Sequence, residues 1–156
     1  MSLSNKYDFT GPTKMYAGCS LRRIYALKSF NGVKKGDVGG WIECERNLSQ
    51  VGNCWVYGDA AVYNFARITH DATVGGNAEV YNDATASDFA VVGGNARVYV
   101  AASITGRASI YGHAHVLDEA RVTDYAQVYG NSCVRGNALI CVNAQVMDTA
   151  LISGTA

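Results

Sequence analysis

The chain has 156 residues, 49% of them apolar, and its 13 basic and 13 acidic side chains give a formal net charge of zero. This length predicts one domain with a core large enough to fold alone, and balanced charge does not favour nucleic acid or an anionic membrane as a partner. No apolar run of membrane-spanning length and no signal peptide are found. Five cysteines without a CxxC pair predict reduced thiols in a cytoplasmic protein.

The first fifty residues predict a cap. Residues 1–11 are polar, and we expect an irregular start there. Residues 14–30 contain short apolar runs on either side of Gly18, a pattern that predicts a β-hairpin. Residues 36–40 hold three glycines, so no regular element is expected in them. Residues 1–50 are therefore interpreted as an N-terminal cap, because the first coil of a repeat structure exposes apolar core and unpaired strand edges.

The rest of the chain is a six-residue repeat. Val or Ile stands at every sixth position from Val56 to Ile152, with Ala86 as the exception. Four residues after each of these comes a second sixfold series, which is Ala up to Ala156 with Ser132 as the exception. A period of six fits neither an amphipathic helix nor an array of hairpins. Self-similarity at a fixed period indicates a repeat architecture.

The spacing predicts an all-β fold shaped as a triangular prism. Three hexads make one 18-residue coil, so residues 51–156 predict about six coils of a parallel β-helix. In each hexad the β-branched residue points into the prism and its two neighbours point outward, while Ala packs inside the corner. Branched side chains suit this position because they are stiff and pack well on a pleated surface.

Two sets of segments carry a resemblance to known proteins. The unit V-x-G-N-A-x at Val74–Glu79 and Val92–Arg97 resembles the hexapeptide repeat of left-handed β-helix proteins. The segments Leu21–Phe30, Gly36–Glu43 and Cys54–Ala60 are similar to the start of small bacterial and prophage hexapeptide-repeat proteins of the YdcK type. The resemblance implies a left-handed parallel β-helix. It also implies a link to acyltransferases, since many hexapeptide-repeat proteins have that activity.

Outward side chains form columns, because residues 18 apart lie on neighbouring coils about 4.8 Å apart. One face is predicted to carry two adjacent columns, one consisting of Tyr63, Tyr81, Tyr99 and Leu117 and the other of Ala61, Glu79, Arg97, His115 and Cys133. Aromatic residues rimmed by charge are typical of protein interfaces, which predicts a subunit or partner contact here. Surface packing of a tyrosine ladder, with no partner, is the alternative interpretation.

The resemblance also indicates where an enzyme would act. Hexapeptide acyltransferases use a histidine base to deprotonate a hydroxyl or amine in a cleft between neighbouring prisms. His70, with Asp88 on the same corner one coil later, is one candidate catalytic pair, and His115 is a second candidate base. A solvated histidine is the competing interpretation of each. The uninterrupted register, without a loop excursion to wall a donor site, favours a non-catalytic role.

The leading hypothesis is therefore a non-catalytic β-helix scaffold, or a protein-binding and assembly module, without metal or cofactor. A prophage origin would also suit a host-directed inhibitor. The alternative is an acyl-CoA-dependent acyltransferase with its histidine base at a subunit interface. We expect a homo-oligomer joined face to face or end to end, or a complex with a protein partner, and no binding of nucleic acid or membrane.

The C-terminal end of the repeat carries a further expectation. The hexads continue without decay, and Ile140, Val146 and Ile152 are predicted to form an apolar ring on the last coil. An open solenoid end templates pairing with another chain. Two explanations stay open: the end stacks on the same end of a second copy, or the sequence is the front part of a longer protein.

Overall fold

The computed structural model describes residues 5–154, and these residues form twenty β-strands and one short 3-10 helix, Glu45–Asn47. The N-terminal strands are β1 (Tyr7–Tyr16), β2 (Cys19–Ala26) and β3 (Val38–Ile42). The strands of the repeat are β4 (Trp55–Val56), β5 (Ala61–Val62), β6 (Arg67–Ile68), β7 (Thr73–Val74), β8 (Glu79–Val80), β9 (Thr85–Ala86), β10 (Val91–Val92), β11 (Arg97–Val98), β12 (Ser103–Ile104), β13 (Ser109–Ile110), β14 (His115–Val116), β15 (Arg121–Val122), β16 (Gln127–Val128), β17 (Cys133–Gly136), β18 (Leu139–Ile140), β19 (Gln145–Val146) and β20 (Leu151–Gly154). None of the described residues forms a helix long and apolar enough to cross a membrane.

The repeat strands pair in parallel with the strands 18 residues away, and the pairs assemble into three sheets. Face A contains β5, β8, β11, β14, β17 and β20, together with the three N-terminal strands. Face B contains β4, β7, β10, β13, β16 and β19, and face C contains β6, β9, β12, β15 and β18. Typical register pairs are Val80 with Val98 and Val98 with Val116. The predicted β-solenoid of about six coils with 18-residue spacing is confirmed.

The two sixfold series form the core. Val98 and Val116 are fully buried, as are Ala96 and Ala114 behind them at the corners. The two exceptions keep the pattern: Ala86 is fully buried, and the buried Ser132 hydroxyl donates a hydrogen bond of 2.7 Å to the Tyr129 carbonyl. A buried hydroxyl is tolerated when it is hydrogen-bonded. The final position of the alanine series, Ala156, lies outside the described residues.

Each corner of the prism contains a residue in the left-handed backbone region. At Gly94, with φ of +60°, a Cβ atom would lie 2.8 Å from the Gly112 nitrogen on the next coil, so this corner requires glycine. Many of the other corners use Asn or Asp, which tolerate this backbone, and His70, Val100 and Val142 occupy three more. The Asn82 side-chain oxygen, for example, accepts a hydrogen bond of 3.2 Å from the Val100 amide on the next coil. Such bonds join successive coils outside the sheets.

The N-terminal part is more regular than the sequence predicts. Strands β1 and β2 form the expected antiparallel hairpin. However, β1 begins at Tyr7, within residues 1–11, which were expected to be irregular. Residues 1–4 lie outside the described part of the chain. The expectation of no regular element at residues 36–40 is wrong, since β3 begins at Val38 and pairs with both β2 and β5. A Cβ atom at Gly39 would lie 2.6 Å from the Val56 carbonyl oxygen, so glycine lets this strand pack against the first coil.

Polar contacts fasten the hairpin to the end of the prism. The buried Lys6 ammonium donates to the Cys54 carbonyl at 2.8 Å, and the Tyr7 hydroxyl donates to the Leu48 carbonyl at 2.6 Å. Burial lowers the pKa of Lys6. The interactions of the ammonium with Cys54 act in the opposite direction, because they favour the charged form of the lysine. These hydrogen bonds connect residues more than forty positions apart in the sequence, and they attach the N-terminal hairpin to the first coil.

Candidate functional site

The tip of the hairpin bends over the first coils of face A. The Tyr16 ring meets the edge of the Tyr63 ring at a centroid distance of 5.9 Å and an interplanar angle of 82°. Tyr63 is only 4% exposed as a result of this contact and of packing around Leu21 and Ala61. The sequence predicted that another subunit or partner covers this tyrosine. The hairpin of the same chain covers it instead, so the accessible tyrosine column begins at Tyr81.

Beyond the hairpin tip, the tyrosines form an ordered stack. Tyr63 and Tyr81 have ring centroids 5.1 Å apart, and Tyr81 and Tyr99 have centroids 5.0 Å apart, with planes parallel within 2°. The His115 ring then meets the Tyr99 ring edge-on at 5.9 Å. Tyr81, Tyr99 and His115 are half-buried, and so is Leu117. Stacking fixes their orientation, since aromatic pairs contribute about 0.5–1.5 kcal/mol beyond burial.

Glu79 is the acceptor at the centre of this face. One of its oxygens accepts hydrogen bonds from the Tyr16 hydroxyl at 2.9 Å and the Tyr63 hydroxyl at 2.8 Å. Its other oxygen is 3.3 Å from Nε of Arg97 on the next coil. Burial raises the pKa of Tyr63 and of Tyr16, and the hydrogen bonds to Glu79 raise both further because they require the neutral phenols. The predicted Glu79–Arg97 neighbours are therefore an ion pair.

His115 carries the clearest acid–base property of this face. Its Nδ1 lies 3.3 Å from the Tyr99 hydroxyl oxygen. Burial lowers its pKa, and the positive charge of Arg97 and the neighbouring His113 lower it further. A histidine with a lowered pKa is neutral at neutral pH, and a neutral imidazole can accept a proton from a hydroxyl or amine. His115 thus has the protonation state that a general base needs.

The other predicted catalytic residues, His70 and Asp88, lie at the same corner of consecutive coils, and no hydrogen bond or ion pair joins their side chains. His70 lies at a corner with a φ of +57°, and its Nδ1 is 3.0 Å from the Thr69 hydroxyl oxygen. The Asp88 carboxylate instead accepts a hydrogen bond of 3.1 Å from the Gly106 amide on the next coil. Asp71, beside His70, accepts from the Asn53 amide on the preceding coil. These carboxylates hold coils together, and the structure shows no contact in which Asp88 orients His70.

Between the hairpin tip and face A lies a cleft of about 330 Å³ that the sequence analysis did not identify. Its walls come from two distant parts of the chain: Lys14 and Tyr16 of β1, and Asp59, Ala61, Asn77, Glu79, Asn95 and Arg97 of the solenoid. The repeat places the solenoid residues in columns, which the sequence predicts. It gives no signal that Lys14 and Tyr16 lie above them, because this contact depends on how the hairpin bends.

The predicted apolar ring at the C-terminal end is mostly covered. Ile140 and Val146 are 7% and 6% exposed, and Ile152 is half-buried within β20, which pairs with β17.

All five cysteines are free thiols, with Cys133 beside His115 on face A and Cys141 on face C. Among residues 5–154, no three His, Cys, Asp or Glu side chains are arranged to hold a metal ion.

Comparison with known proteins gives one partial match. No family model matches the chain. A stretch of 42 residues is 50% identical to the uncharacterized acetyltransferase YdcK of Escherichia coli (strain K12). The match covers 27% of this chain and 13% of that protein, so the similarity extends over a small part of both. This partial match and the β-solenoid fit a hexapeptide-repeat protein of the YdcK type.

Proposed function

We propose that the protein is a β-solenoid assembly module and that face A, beyond the hairpin tip, is the surface on which a second copy of this chain packs. The observation that carries this proposal is the ordered stack of Tyr81, Tyr99 and His115, which stays half-exposed. Side chains that are already ordered lose little conformational entropy on association. Aromatic residues beside an arginine are also the residue types that contribute most at interfaces.

The other two faces suit this role less well. The outward columns of face C carry Thr69, Ser87, Thr105 and Thr123, with Arg67 and Arg121 alongside, so that face is mostly polar. Face B has a tyrosine ladder too, but Gly75 and Gly93 interrupt it between Tyr57 and Tyr111. Among residues 5–154, face A alone combines an unbroken aromatic stack with a charged pair and a histidine.

The test compares two matched double variants by sedimentation equilibrium. Tyr81→Ser/Tyr99→Ser removes half-exposed stacked rings from face A, and Tyr111→Ser/Tyr129→Ser removes a pair stacked at 4.9 Å on face B. The face A variant is expected to remain folded and to sediment as a monomer, whereas the face B variant keeps the mass of the parent. If both variants sediment like the parent, or if the parent is monomeric, face A is not a self-association surface.

A second candidate function is acyl transfer from acyl-CoA, and His115 is the observation that favours it. The matched relative is named as an acetyltransferase. The resemblance to hexapeptide acyltransferases implies a cleft between neighbouring prisms. A copy packed on face A would place such a cleft over His115. In the reaction, His115 takes the proton of an acceptor hydroxyl or amine while that atom attacks the thioester carbonyl. The carbon–sulfur bond then breaks, and the CoA thiolate is released and takes up a proton.

Acetyl-CoA turnover distinguishes the two candidates. An acetyltransferase would release CoA thiol in the presence of an acceptor, and His115→Gln would lower the rate by about 100-fold or more, the usual contribution of a general base. His70→Gln is the matched control, because the His70 imidazole has one hydrogen-bond partner among residues 5–154, the Thr69 hydroxyl. An oligomer that shows no turnover leaves assembly as the function. Turnover that His115→Gln leaves unchanged would mean that His115 is not the general base.

A further inference from the structure

We propose that the cleft between the hairpin tip and face A is a binding site for an oxyanion, the carboxylate or phosphate group of a small molecule, held by Lys14 and Arg97. The cleft has a volume of about 330 Å³, within the range of small-molecule sites. Its walls come from β1 on one side and from three successive coils on the other. The rings of Tyr81 and Tyr99 do not line this cleft.

The charges that line the cleft are not balanced once their partners are assigned. Its two acidic residues are both engaged within the chain. Asp59 accepts a hydrogen bond of 2.5 Å from Arg23, whose guanidinium also donates to the Gly39 and Gly58 carbonyls. Glu79 accepts from two tyrosine hydroxyls and pairs with Arg97. Neither carboxylate is therefore free to compensate Lys14.

Lys14 is positioned but not neutralised. Its ammonium lies 4.4 Å from the centroid of the Trp41 ring and 5.5 Å from that of the Tyr16 ring. Cation–π contacts orient a cation and leave its full charge in place. Among residues 5–154, no carboxylate lies within ion-pair distance of this ammonium. A positive charge is thus held at the rim of the cleft without an acidic partner.

Arg97 supplies a fork of donors on the opposite wall. Its Nε faces Glu79, while its two terminal nitrogens have no acceptor among the described residues, and the side chain is 49% exposed. The planar guanidinium fork matches the geometry of a carboxylate or phosphate. The pairing with Glu79 fixes the orientation of that fork. Asn77 and Asn95, on consecutive coils of the same wall, add side-chain amides that can donate to the same ligand.

Nuclear magnetic resonance titration tests this site with two probes, inorganic phosphate and acetate, at constant ionic strength. The backbone amide signals of Asn77 and Asn95 report on the cleft. The parent protein is expected to show saturable shifts of these signals with at least one probe. Whichever probe saturates at the lower concentration identifies the group, phosphate or carboxylate, that the site prefers.

Variants separate this site from general anion attraction. Arg97→Ala and Lys14→Met should each weaken binding by about tenfold, the typical effect of losing a charge-assisted hydrogen bond. Arg97→Lys, which keeps the charge without the fork, should weaken it less. Arg67→Ala, at the equivalent hexad position on face C, should leave it unchanged. Linear, unsaturable shifts with both probes, or equal affinity in Arg97→Ala and Arg67→Ala, would overturn the proposal.

Discussion

The Tyr99 hydroxyl and His115 Nδ1 are 3.3 Å apart, and the two residues are separated by 16 positions, one coil minus two residues. The same diagonal contact recurs three times with a carboxylate or amide oxygen in place of the imidazole. Tyr63 donates to Glu79, Tyr111 to Gln127 and Tyr129 to Gln145, each 16 positions apart. The repeat therefore builds one standard contact between adjacent columns. The partner of Tyr99 is an imidazole, and among the four partners it is the group that titrates near neutral pH.

This relationship predicts a pH dependence of stability. The pKa of His115 is lowered in the folded protein, so the unfolded chain binds its proton at a higher pH. As the pH falls from about 7.5 to about 5.5, through the ordinary histidine range, the free energy of unfolding should decrease because of this residue. Urea unfolding at the two values measures the decrease. The variant His115→Gln places at this position the residue type that accepts the equivalent hydrogen bond on face B, and its stability should decrease less over the same pH range. An equal decrease in the variant and the parent would contradict the assignment of this pH dependence to His115.

A second prediction tests the register of the core. Val98 is fully buried on β11, whereas Val91 on β10 is 45% exposed. Val98→Asp would place an unpaired charge in the core, a cost of several kcal/mol or more, and should abolish soluble folded protein. Val91→Asp should fold and melt like the parent. Circular dichroism of the soluble fractions makes the comparison, and a folded Val98→Asp protein would show that the predicted inward and outward positions are wrong.

A third prediction concerns the glycine that lets β3 join face A. At Gly39 an added methyl group would lie 2.6 Å from the Val56 carbonyl oxygen and 2.8 Å from a carbon of Ile24. Gly39→Ala should therefore lower the free energy of unfolding by about 1–3 kcal/mol, the usual cost of overpacking. Gly93→Ala is the control, since its methyl group would meet nothing within 4 Å. Equal urea midpoints for the two variants would mean that β3 does not pack as described.

The solenoid itself could be predicted because its information is local and periodic. Every coil repeats the same inward Val or Ile and the same corner Ala, so the register of residues 56–154 follows from counting. The N-terminal strands could not be predicted in the same way. Glycines normally weaken a strand, and the packing that makes Gly39 necessary involves Val56, a residue distant in sequence.

The candidate site was predicted only in part, for a similar reason. The columns that bring Glu79, Arg97 and His115 together follow from the 18-residue spacing. The hairpin tip does not, because the hydrogen bond from Tyr16 to Glu79 joins residues 63 positions apart. The repeat places His70 and Asp88 at the same corner of consecutive coils, but counting does not show the partner of the carboxylate, which accepts from the backbone amide of the next coil.

Hydroxyl-radical footprinting of the tyrosines, measured as the protein concentration is raised, tests the central claim that face A is the surface between copies. The oxidation rates of Tyr81 and Tyr99 should fall as the protein associates, because a second copy covers these half-exposed rings. The rates of Tyr111 and Tyr125, which are exposed away from face A, should stay constant and serve as internal controls. Constant rates at Tyr81 and Tyr99 in an associated protein, or a fall confined to Tyr111 and Tyr125, would contradict the claim.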